Sequence, residues 1–195
     1  MKYFEHESAA TFDEAVSLLK ESPKGKTVVM AGGSDLIGVL KEQILEDYPE
    51  KVVDLKTVRG GEYIKQDGDT IEIGALTKLC DIVKSDLLNE KAPVLSQAAR
   101  SVATPLIRNV ATMGGNICQD VRCWFYRYPH GIGGRMDCMR KGGKECYAVM
   151  GDNRYHSIFG GMKVHTTPCS VQCPANTDIP AYMERLRQGD VEGAA

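Results

Sequence analysis

The stretch VVMAGGSDL, residues 28–36, decides how the chain is expected to fold. Its first half is a short β-prone run, and its two adjacent glycines stand where a strand would pass into a helix beginning at Asp35 or Leu36. Glycine lets the backbone approach an anion closely, and the free N–H groups at a helix start favour phosphate. The stretch therefore predicts a strand–turn–helix unit with a candidate phosphate-binding turn. A plain glycine turn capped by Ser34 or Asp35 is the alternative, and the stretch is neither the six-residue dinucleotide fingerprint nor a lysine-containing phosphate loop.

The surrounding sequence alternates between helical and strand patterns. Further regular structure is predicted as helices over residues 11–21, 77–84 and 92–102, a strand over residues 51–55 and a hairpin over residues 62–74. Thr11 is the expected N-cap of the first of these helices, with Glu14 completing a capping box, and Thr77 is the expected cap of the second. The mixture of elements indicates an α/β or α+β domain.

Composition and charge exclude several classes of function. The 195 residues include 43% hydrophobic and 26% charged residues, as in an ordinary globular protein. The net charge of −2 gives no basic field that would attract nucleic acid. The N-terminus lacks the apolar core of a signal peptide, and no run approaches the roughly 20 apolar residues of a membrane helix. We therefore expect a cytoplasmic protein that binds neither nucleic acid nor a membrane.

Two further segments place small residues beside polar ones: IGALT at residues 73–77 and the loop IRNVATMGGN at residues 107–116. In order and spacing, the three segments resemble the FAD-binding domain of the xanthine dehydrogenase and carbon monoxide dehydrogenase (molybdenum hydroxylase) family. The family pattern runs AGGTDL, then GAxT, then RNxATxGGN. The resemblance covers roughly residues 1–160 and departs from the family at Ser34, where threonine is usual. Family members continue into a C-terminal domain that is not seen in this sequence.

The resemblance implies an α+β, two-subdomain FAD-binding fold with a cysteine-rich loop insertion and a short helical C-terminal extension. Residues 31–35 would wrap the pyrophosphate through backbone amides, and residues 112–116 would line the flavin and ribityl region. The residues that the resemblance assigns to FAD are Met30, Ala31, Gly32, Gly33, Ser34, Asp35, Leu36, Gly74, Ala75, Thr77, Arg108, Asn109, Thr112, Gly114, Gly115, Asn116 and Asp120. It requires no catalytic acid, base or nucleophile in this chain.

Six of the seven cysteines lie beyond residue 117. In a chain without signs of export, clustered cysteines favour metal ligation over disulfides or unrelated buried thiols. Residues 118–126, CQDVRCWFY, resemble the flavin subunit of 4-hydroxybenzoyl-CoA reductase, in which an inserted loop holds a [4Fe–4S] cluster near the flavin. That resemblance implies the ligands Cys123, Cys138 and Cys146.

The fourth ligand of this cluster is open at the level of sequence. His156 is the favoured ligand and Cys118 the runner-up, while His156 bound within a loop by hydrogen bonds is the alternative for the histidine. A structural zinc site is the alternative for Cys123, Cys138 and Cys146, although these three lack the closely spaced pair that zinc sites usually contain.

The tail has a signature of its own. Residues 168–182, PCSVQCPANTDIPAY, resemble the start of the iron–sulfur domain of the glutamate synthase small subunit, which implies that Cys169 and Cys173 belong to a second cluster. Two cysteines cannot complete a cluster, so we expect the chain to be a segment of a longer protein. A short docking helix with incidental cysteines is the alternative. The expected domains are residues 1–162, with the cluster-bearing insertion at about 117–157, and residues 163–195.

Together these resemblances imply a segment that carries FAD and a [4Fe–4S] cluster and transfers electrons within a molybdenum hydroxylase-type oxidoreductase. The expected partners are a molybdenum-cofactor subunit and a [2Fe–2S] subunit, with NAD(P) or ferredoxin as the other electron partner. An iron–sulfur docking or assembly subunit that binds no flavin is the second hypothesis, and a zinc-binding structural domain is the third.

Overall fold

The structure, a computed structural model, describes residues 1–45, 47–128, 136–150, 185 and 187–190. The chain divides into two compact units, Met1–Cys146 and Tyr147–Ala195. The second unit begins with a short helix, α8 (Tyr147–Met150). The elements described below all belong to the first unit.

The first unit contains a parallel sheet of three strands. Its elements are β1 (Glu5–Ser8), β2 (Thr27–Met30) and β3 (Lys51–Asp54), connected by α1 (Phe12–Glu21) and α2 (Leu36–Lys41). The spatial order is β1-β3-β2, so the last strand of the three in sequence lies between the other two. The predicted strands at residues 27–30 and 51–55 and the predicted helices after Thr11 and at Leu36 are confirmed.

The central place of β3 follows from its sequence. Val52 and Val53 point to opposite faces and are both fully buried, which is the usual condition of a central parallel strand. β1 reads EHES and has three exposed residues, so neither alternation nor β-propensity marks it as a strand, and the sequence does not predict it. Its backbone pairing with β3 holds it at the edge, supported by the ion pair of Lys51 Nζ with Glu7 Oε2 at 2.8 Å.

The capping box predicted at the start of α1 forms with one difference. The Thr11 hydroxyl accepts a hydrogen bond from Glu14 N at 3.1 Å, as expected for an N-cap. The Glu14 carboxylate, however, accepts from the backbone N–H of Ala10 at 2.7 Å, one residue before the cap. The carboxylate therefore secures the chain that enters the helix.

The hairpin predicted over residues 62–74 is confirmed. β4 (Ile64–Asp67) pairs in antiparallel fashion with β5 (Thr70–Ile73), and Asp67 lies opposite Thr70. Gly68, which follows β4 directly, has φ of 56°, the left-handed conformation that tight two-residue hairpin turns require.

Helices pack against this hairpin and give the unit a second core. They are α3 (Leu79–Lys84), α4 (Asp86–Lys91) and α5 (Pro93–Ser101). Their cluster of buried side chains comprises Leu79, Ile82, Leu88, Ala99 and Ala111. A separate cluster beside the parallel sheet comprises Ala9, Ala15, Val53, Val58 and Leu76. The unit is thus a mixed α/β fold with two cores, which confirms the mixed character expected from the sequence; the cysteine-rich insertion is not confirmed.

Thr77 does not cap α3, contrary to the prediction. The N-cap of α3 is Lys78, which makes no side-chain cap hydrogen bond. The Thr77 hydroxyl, 3% exposed, instead donates to the carbonyl of Tyr63 and accepts from its N–H, both at 3.0 Å. The buried threonine therefore joins the end of the hairpin to the loop before α3.

The segment at residues 107–116, predicted as a loop, is mostly helical. Two short helices occupy it, α6 (Pro105–Arg108) and α7 (Met113–Ile117). Thr104 and Thr112 cap these helices through their hydroxyls. The glycines and polar residues of the segment favoured a loop prediction, so the two helices were not expected from the sequence. Within the described residues, no helix combines the length and the apolar character that crossing a bilayer requires.

We expect Thr77→Val to lower the free energy of unfolding by about 1–3 kcal/mol, because it leaves the N–H of Tyr63 without its acceptor in a part-buried hydrogen bond. The Tyr63 carbonyl keeps its bond from Gly74 N at 2.8 Å. Urea unfolding measures the loss. The same replacement at the exposed Thr70 of β5 is the control and should change stability by less than about 0.5 kcal/mol. Equal losses at both positions would contradict the assigned role of Thr77.

Candidate functional site

Two of the three glycine-containing segments are paired through their backbones. Gly114 N donates to Ala75 O at 2.8 Å, and Met113 N donates to Thr77 O at 2.8 Å. Leu79 N donates in the other direction, to Ala111 O at 2.9 Å. This short antiparallel bridge fixes the start of α7 beside the loop that follows β5.

The first glycine segment lies directly against the third. A Cβ atom on Gly32 would stand 1.9 Å from the carbonyl oxygen of Val110, so no other residue fits at this position without moving the backbone. Gly33 has φ of 70°, which L side chains rarely adopt, and a Cβ there would also meet Ile37 at 2.9 Å. Residues 31–35 are therefore held in one conformation by contacts that only glycine permits.

A cavity of about 440 Å³ opens where these segments meet. It lies beyond the carboxyl ends of β2 and β3, the usual ligand position in sheets with parallel strands. The predicted residues that line it are Met30, Ala31, Gly32, Gly33, Ser34, Asp35, Leu36, Ala75, Thr112, Gly114, Gly115 and Asp120. The structure thus brings together residues from all three glycine segments.

The remaining predicted FAD residues do not line the cavity. These are Gly74, Thr77, Arg108, Asn109 and Asn116. Gly74 lies against the backbone of Gly61, Arg108 Nη1 donates to Val102 O at 2.7 Å, and Asn109 ends α6. Asn116 lies within α7. Their observed contacts support the backbone around the cavity.

The apolar wall of the cavity was not predicted from the sequence. The lining residues that were not assigned to FAD are Phe12, Val28, Val29, Val39, Leu45, Leu55, Leu76, Cys118 and Gln119. The position of Leu55 directly after β3 is a signal that could have found it, since the residues following parallel strands meet at one edge of a sheet. Phe12 and Leu45 carry no such signal.

The turn after β2 presents unused donors. In the part of the chain that the structure describes, the backbone N–H groups of Gly32, Gly33, Ser34 and Asp35 donate to no protein acceptor. Asp35 is the N-cap residue of α2, yet its side chain makes no cap hydrogen bond. Successive free N–H groups of this kind form a concave receptor for an anion.

The Asp35 carboxylate is directed to the segment that follows α7. Oδ2 accepts from Asp120 N at 2.9 Å, and Oδ1 receives Nη2 of Arg127 at 2.9 Å and Nη2 of Arg122 at 3.1 Å. Arg127 also donates to the carbonyls of Asp120 at 2.9 Å and Val121 at 2.7 Å. One carboxylate thus attaches residues 120–127 to the glycine turn.

Asp120 has its own partners. Its Oδ2 accepts from the Tyr126 hydroxyl at 2.7 Å and its Oδ1 from Val121 N at 2.8 Å. Burial raises the pKa of Tyr126 well above its usual range, and the hydrogen bond to Asp120 adds to the shift. Tyr126 therefore stays a neutral donor, and the Lys141 ammonium lies 5.5 Å from the centre of its ring.

The predicted cluster ligands are only partly within the described residues. Cys123 and Cys138 are buried, Cys146 is half-buried and Cys118 is exposed and lines the cavity. Among the residues that the structure describes, no group of three or more His, Cys, Asp or Glu side chains is arranged to hold a metal ion. His156, Cys169 and Cys173 lie outside the described residues. The cluster ligands remain a prediction.

Comparison with known proteins finds matches to the part of the chain that contains the cavity. Residues 2–138 match a family model described as FAD binding domain in molybdopterin dehydrogenase. The nicotinate dehydrogenase FAD-subunit of Eubacterium barkeri is 34% identical over 117 residues, 60% of this chain and 39% of that protein. The xanthine dehydrogenase FAD-binding subunit of Escherichia coli O157:H7 is 36% identical over 112 residues, 56% of this chain and 37% of that protein.

A solved structure gives the same result. Carbon monoxide dehydrogenase from Hydrogenophaga pseudoflava matches with a TM-score of 0.56 and 31% identity, covering 60% of this chain and 39% of that chain. The present chain thus spans about two fifths of the length of the relatives that it matches.

The two arginines that share Asp35 should differ in their contribution to stability. Arg127 is 18% exposed and bonds two carbonyls besides Asp35, whereas Arg122 is 52% exposed. We expect Arg127→Met to lower the free energy of unfolding by about 2–3 kcal/mol, because it removes one of the two cations paired with a largely buried carboxylate and leaves two carbonyls without this donor. Arg122→Met, the matched control, should cost about 1 kcal/mol or less. Urea unfolding of both variants checks this, and the reverse order would refute the assignment.

Proposed function

Since the chain belongs to the family of FAD-binding domains of molybdopterin dehydrogenases, we propose that its cavity binds FAD with the diphosphate on residues 31–35. The observation that carries the proposal is the row of free N–H groups from Gly32 to Asp35 at the cavity wall. A diphosphate needs several donors at close range, and a turn fixed by glycine contacts provides them without rearrangement.

The rest of the cavity suits the remainder of the cofactor. Ala75, Thr112, Gly114 and Gly115 line it from the second and third glycine segments, and we assign the flavin and ribityl chain to this part. The small residues there let a flat ring lie close to the backbone. The apolar wall that includes Leu55 and its neighbours excludes water from the ring.

Other residues of the predicted set act from behind the wall. Gly74 packs against Gly61, Thr77 bonds the backbone of Tyr63, and Arg108 bonds the carbonyl of Val102. Asn109 lies at the end of α6 and Asn116 within α7. Asp120 lines the cavity, and a contact with a cofactor hydroxyl would use the lone pairs that Tyr126 and Val121 leave unoccupied. The task of the chain's own residues is to bind and orient the cofactor.

We further propose that the chain is the flavin segment of a molybdenum hydroxylase-type oxidoreductase, a flavin-dependent electron-transfer component. Bound FAD supplies both two-electron exchange with a hydride carrier and single-electron exchange with metal centres. The relatives named above are subunits of dehydrogenases and are much longer than this chain. A molybdenum-cofactor subunit and a [2Fe–2S] subunit are the partners that this role implies. NAD(P) or ferredoxin as the other electron partner rests on the sequence resemblance alone.

The [4Fe–4S] cluster is a separate proposal. It rests on the resemblance around Cys123, Cys138 and Cys146, with His156 or Cys118 as the fourth ligand. The described residues form no metal site by themselves, so the function proposed for the cavity does not depend on the cluster.

Cofactor content tests these proposals directly. We expect the protein purified without oxygen to release FAD on denaturation, in about one equivalent per chain when saturated. Iron and sulfide assays on the same sample test the cluster independently, with about four irons per chain as the expected result. Iron without flavin, even after incubation with FAD, would favour the iron–sulfur docking hypothesis, and zinc in place of iron would favour the structural zinc site.

A charge placed on the glycine turn should weaken FAD binding. Ser34 is exposed and lines the cavity, so Ser34→Glu brings a carboxylate to the anion receptor with little effect on the fold. We expect the Kd for FAD, measured by fluorescence titration, to rise by about tenfold or more. Ser17→Glu makes the same change on the exposed side of α1, away from the cavity, and should leave the Kd unchanged. Equal affinity in both variants would exclude residues 31–35 as the diphosphate site.

A further inference from the structure

The charged side chains that line the cavity are acidic. Among the described lining residues they are Asp35 and Asp120, and none is a lysine or arginine. A diphosphate is a dianion. Free N–H groups of the turn supply partial positive charge, and the negative charge of the two carboxylates reduces its effect. A cation beside these carboxylates would offset that charge and strengthen the binding of a diphosphate.

Arg127 also bonds Asp35 but is more enclosed. Its Nη2 bonds both oxygens of Asp35, at 2.9 and 3.1 Å, and the carbonyl of Asp120 at 2.9 Å. Its Nε bonds the carbonyl of Val121 at 2.7 Å, and its side chain is only 18% exposed. Its Nη1 donates to no acceptor among the described residues, but turning Arg127 towards a ligand would break the other bonds and weaken the attachment of residues 120–127 to the turn. Arg127 is thus held by Asp35 and the backbone, and little of its side chain is accessible to a ligand.

Arg122 is arranged differently. Its Nη2 lies 3.1 Å from Asp35 Oδ1, and its Nε donates to Gln119 Oε1 at 2.8 Å, so two side chains that line the cavity hold the guanidinium, although Arg122 itself is not among the lining residues. The side chain is 52% exposed. Its Nη1 donates to no acceptor among residues that the structure describes. A charged group with unused donors is thus bonded to the side chain of Asp35, a residue of the glycine turn.

We propose that Arg122 is the cation that binds the diphosphate of the dinucleotide, with Asp35 and Gln119 as the residues that position it. The proposal rests on the FAD site proposed above and adds a side-chain contact to it. Nη1 donates to a phosphate oxygen while Nη2 keeps its bond to Asp35. The planar guanidinium can serve both oxyanions, which a single ammonium does less well. Arg127 remains with Asp35, so the turn keeps its conformation when Arg122 engages the ligand.

The test compares the FAD affinity of four proteins by fluorescence titration at low and at high salt: wild type, Arg122→Met, Arg122→Lys and Arg100→Met. Arg100, at the exposed end of α5, does not line the cavity and controls for the loss of one positive charge. We expect Arg122→Met to raise the Kd by about tenfold, equivalent to about 1.4 kcal/mol, and to weaken the salt dependence of binding. Arg122→Lys should recover part of the affinity, and Arg100→Met should behave as wild type.

ADP, which carries the diphosphate without the flavin, provides a second measurement. It should compete with FAD for the wild-type protein and lose affinity in Arg122→Met by a factor similar to that of FAD. If Arg122→Met binds FAD within about twofold of Arg100→Met, with the same salt dependence, Arg122 is not the diphosphate ligand although the site stands. If the wild-type protein itself binds no FAD, the function proposed for the cavity fails as well. Thermal unfolding of each variant separates a lost contact from a lost fold.

Discussion

The contact between Gly32 and the carbonyl of Val110 is the constraint on which the rest of the site depends. It joins the turn after β2 to the segment before α7, residues far apart in sequence, without any side chain between them. Because the backbones touch, the cavity wall is built from main-chain groups whose positions are fixed by packing. On the other side of the contact, Gly114 N bonds Ala75 O, which fixes the start of α7 beside the loop after β5. A fold that held these segments farther apart would leave a cleft in place of a receptor.

The hydrogen-bond partners of the Asp35 carboxylate leave the N–H groups of the turn free. An aspartate at the first position of a helix usually turns its carboxylate back onto the helix N–H groups, which would fill the receptor from within. Here the carboxylate instead bonds Arg122, Arg127 and the N–H of Asp120. The donors of the turn stay free, and the segment of residues 120–127 is attached to the sheet by the same bonds. Lys141 is buried and its ammonium lies against the ring of Tyr126, whose hydroxyl bonds Asp120, so these polar contacts reach beyond residues 120–127.

The sequence predicted the elements with strong local signals and missed those stabilised by distant partners. The Thr11 cap and the hairpin over residues 62–74 depend on neighbouring residues, and both were predicted correctly. β1 was not predicted because its polar residues form a strand only through pairing with β3. Thr77 was misassigned because its hydroxyl found Tyr63 across the hairpin in place of the adjacent helix. For the site, the glycine motifs contain part of the cavity lining, while the pairing of Asp35 with two arginines about 90 residues away left no pattern that a single sequence could reveal.

The position of β3 has a consequence for synthesis on the ribosome. β1 and β2 both pair with β3 and not with each other, so neither has a hydrogen-bonding partner until residues 51–54 have left the exit tunnel. Up to that point the nascent chain presents two unpaired strands, one of them carrying the exposed Val29. The first fifty residues are therefore not an autonomous folding unit. The sheet can form only once Val52 and Val53 are available, and a truncation that ends before them would leave β1 and β2 with open strand edges that favour association.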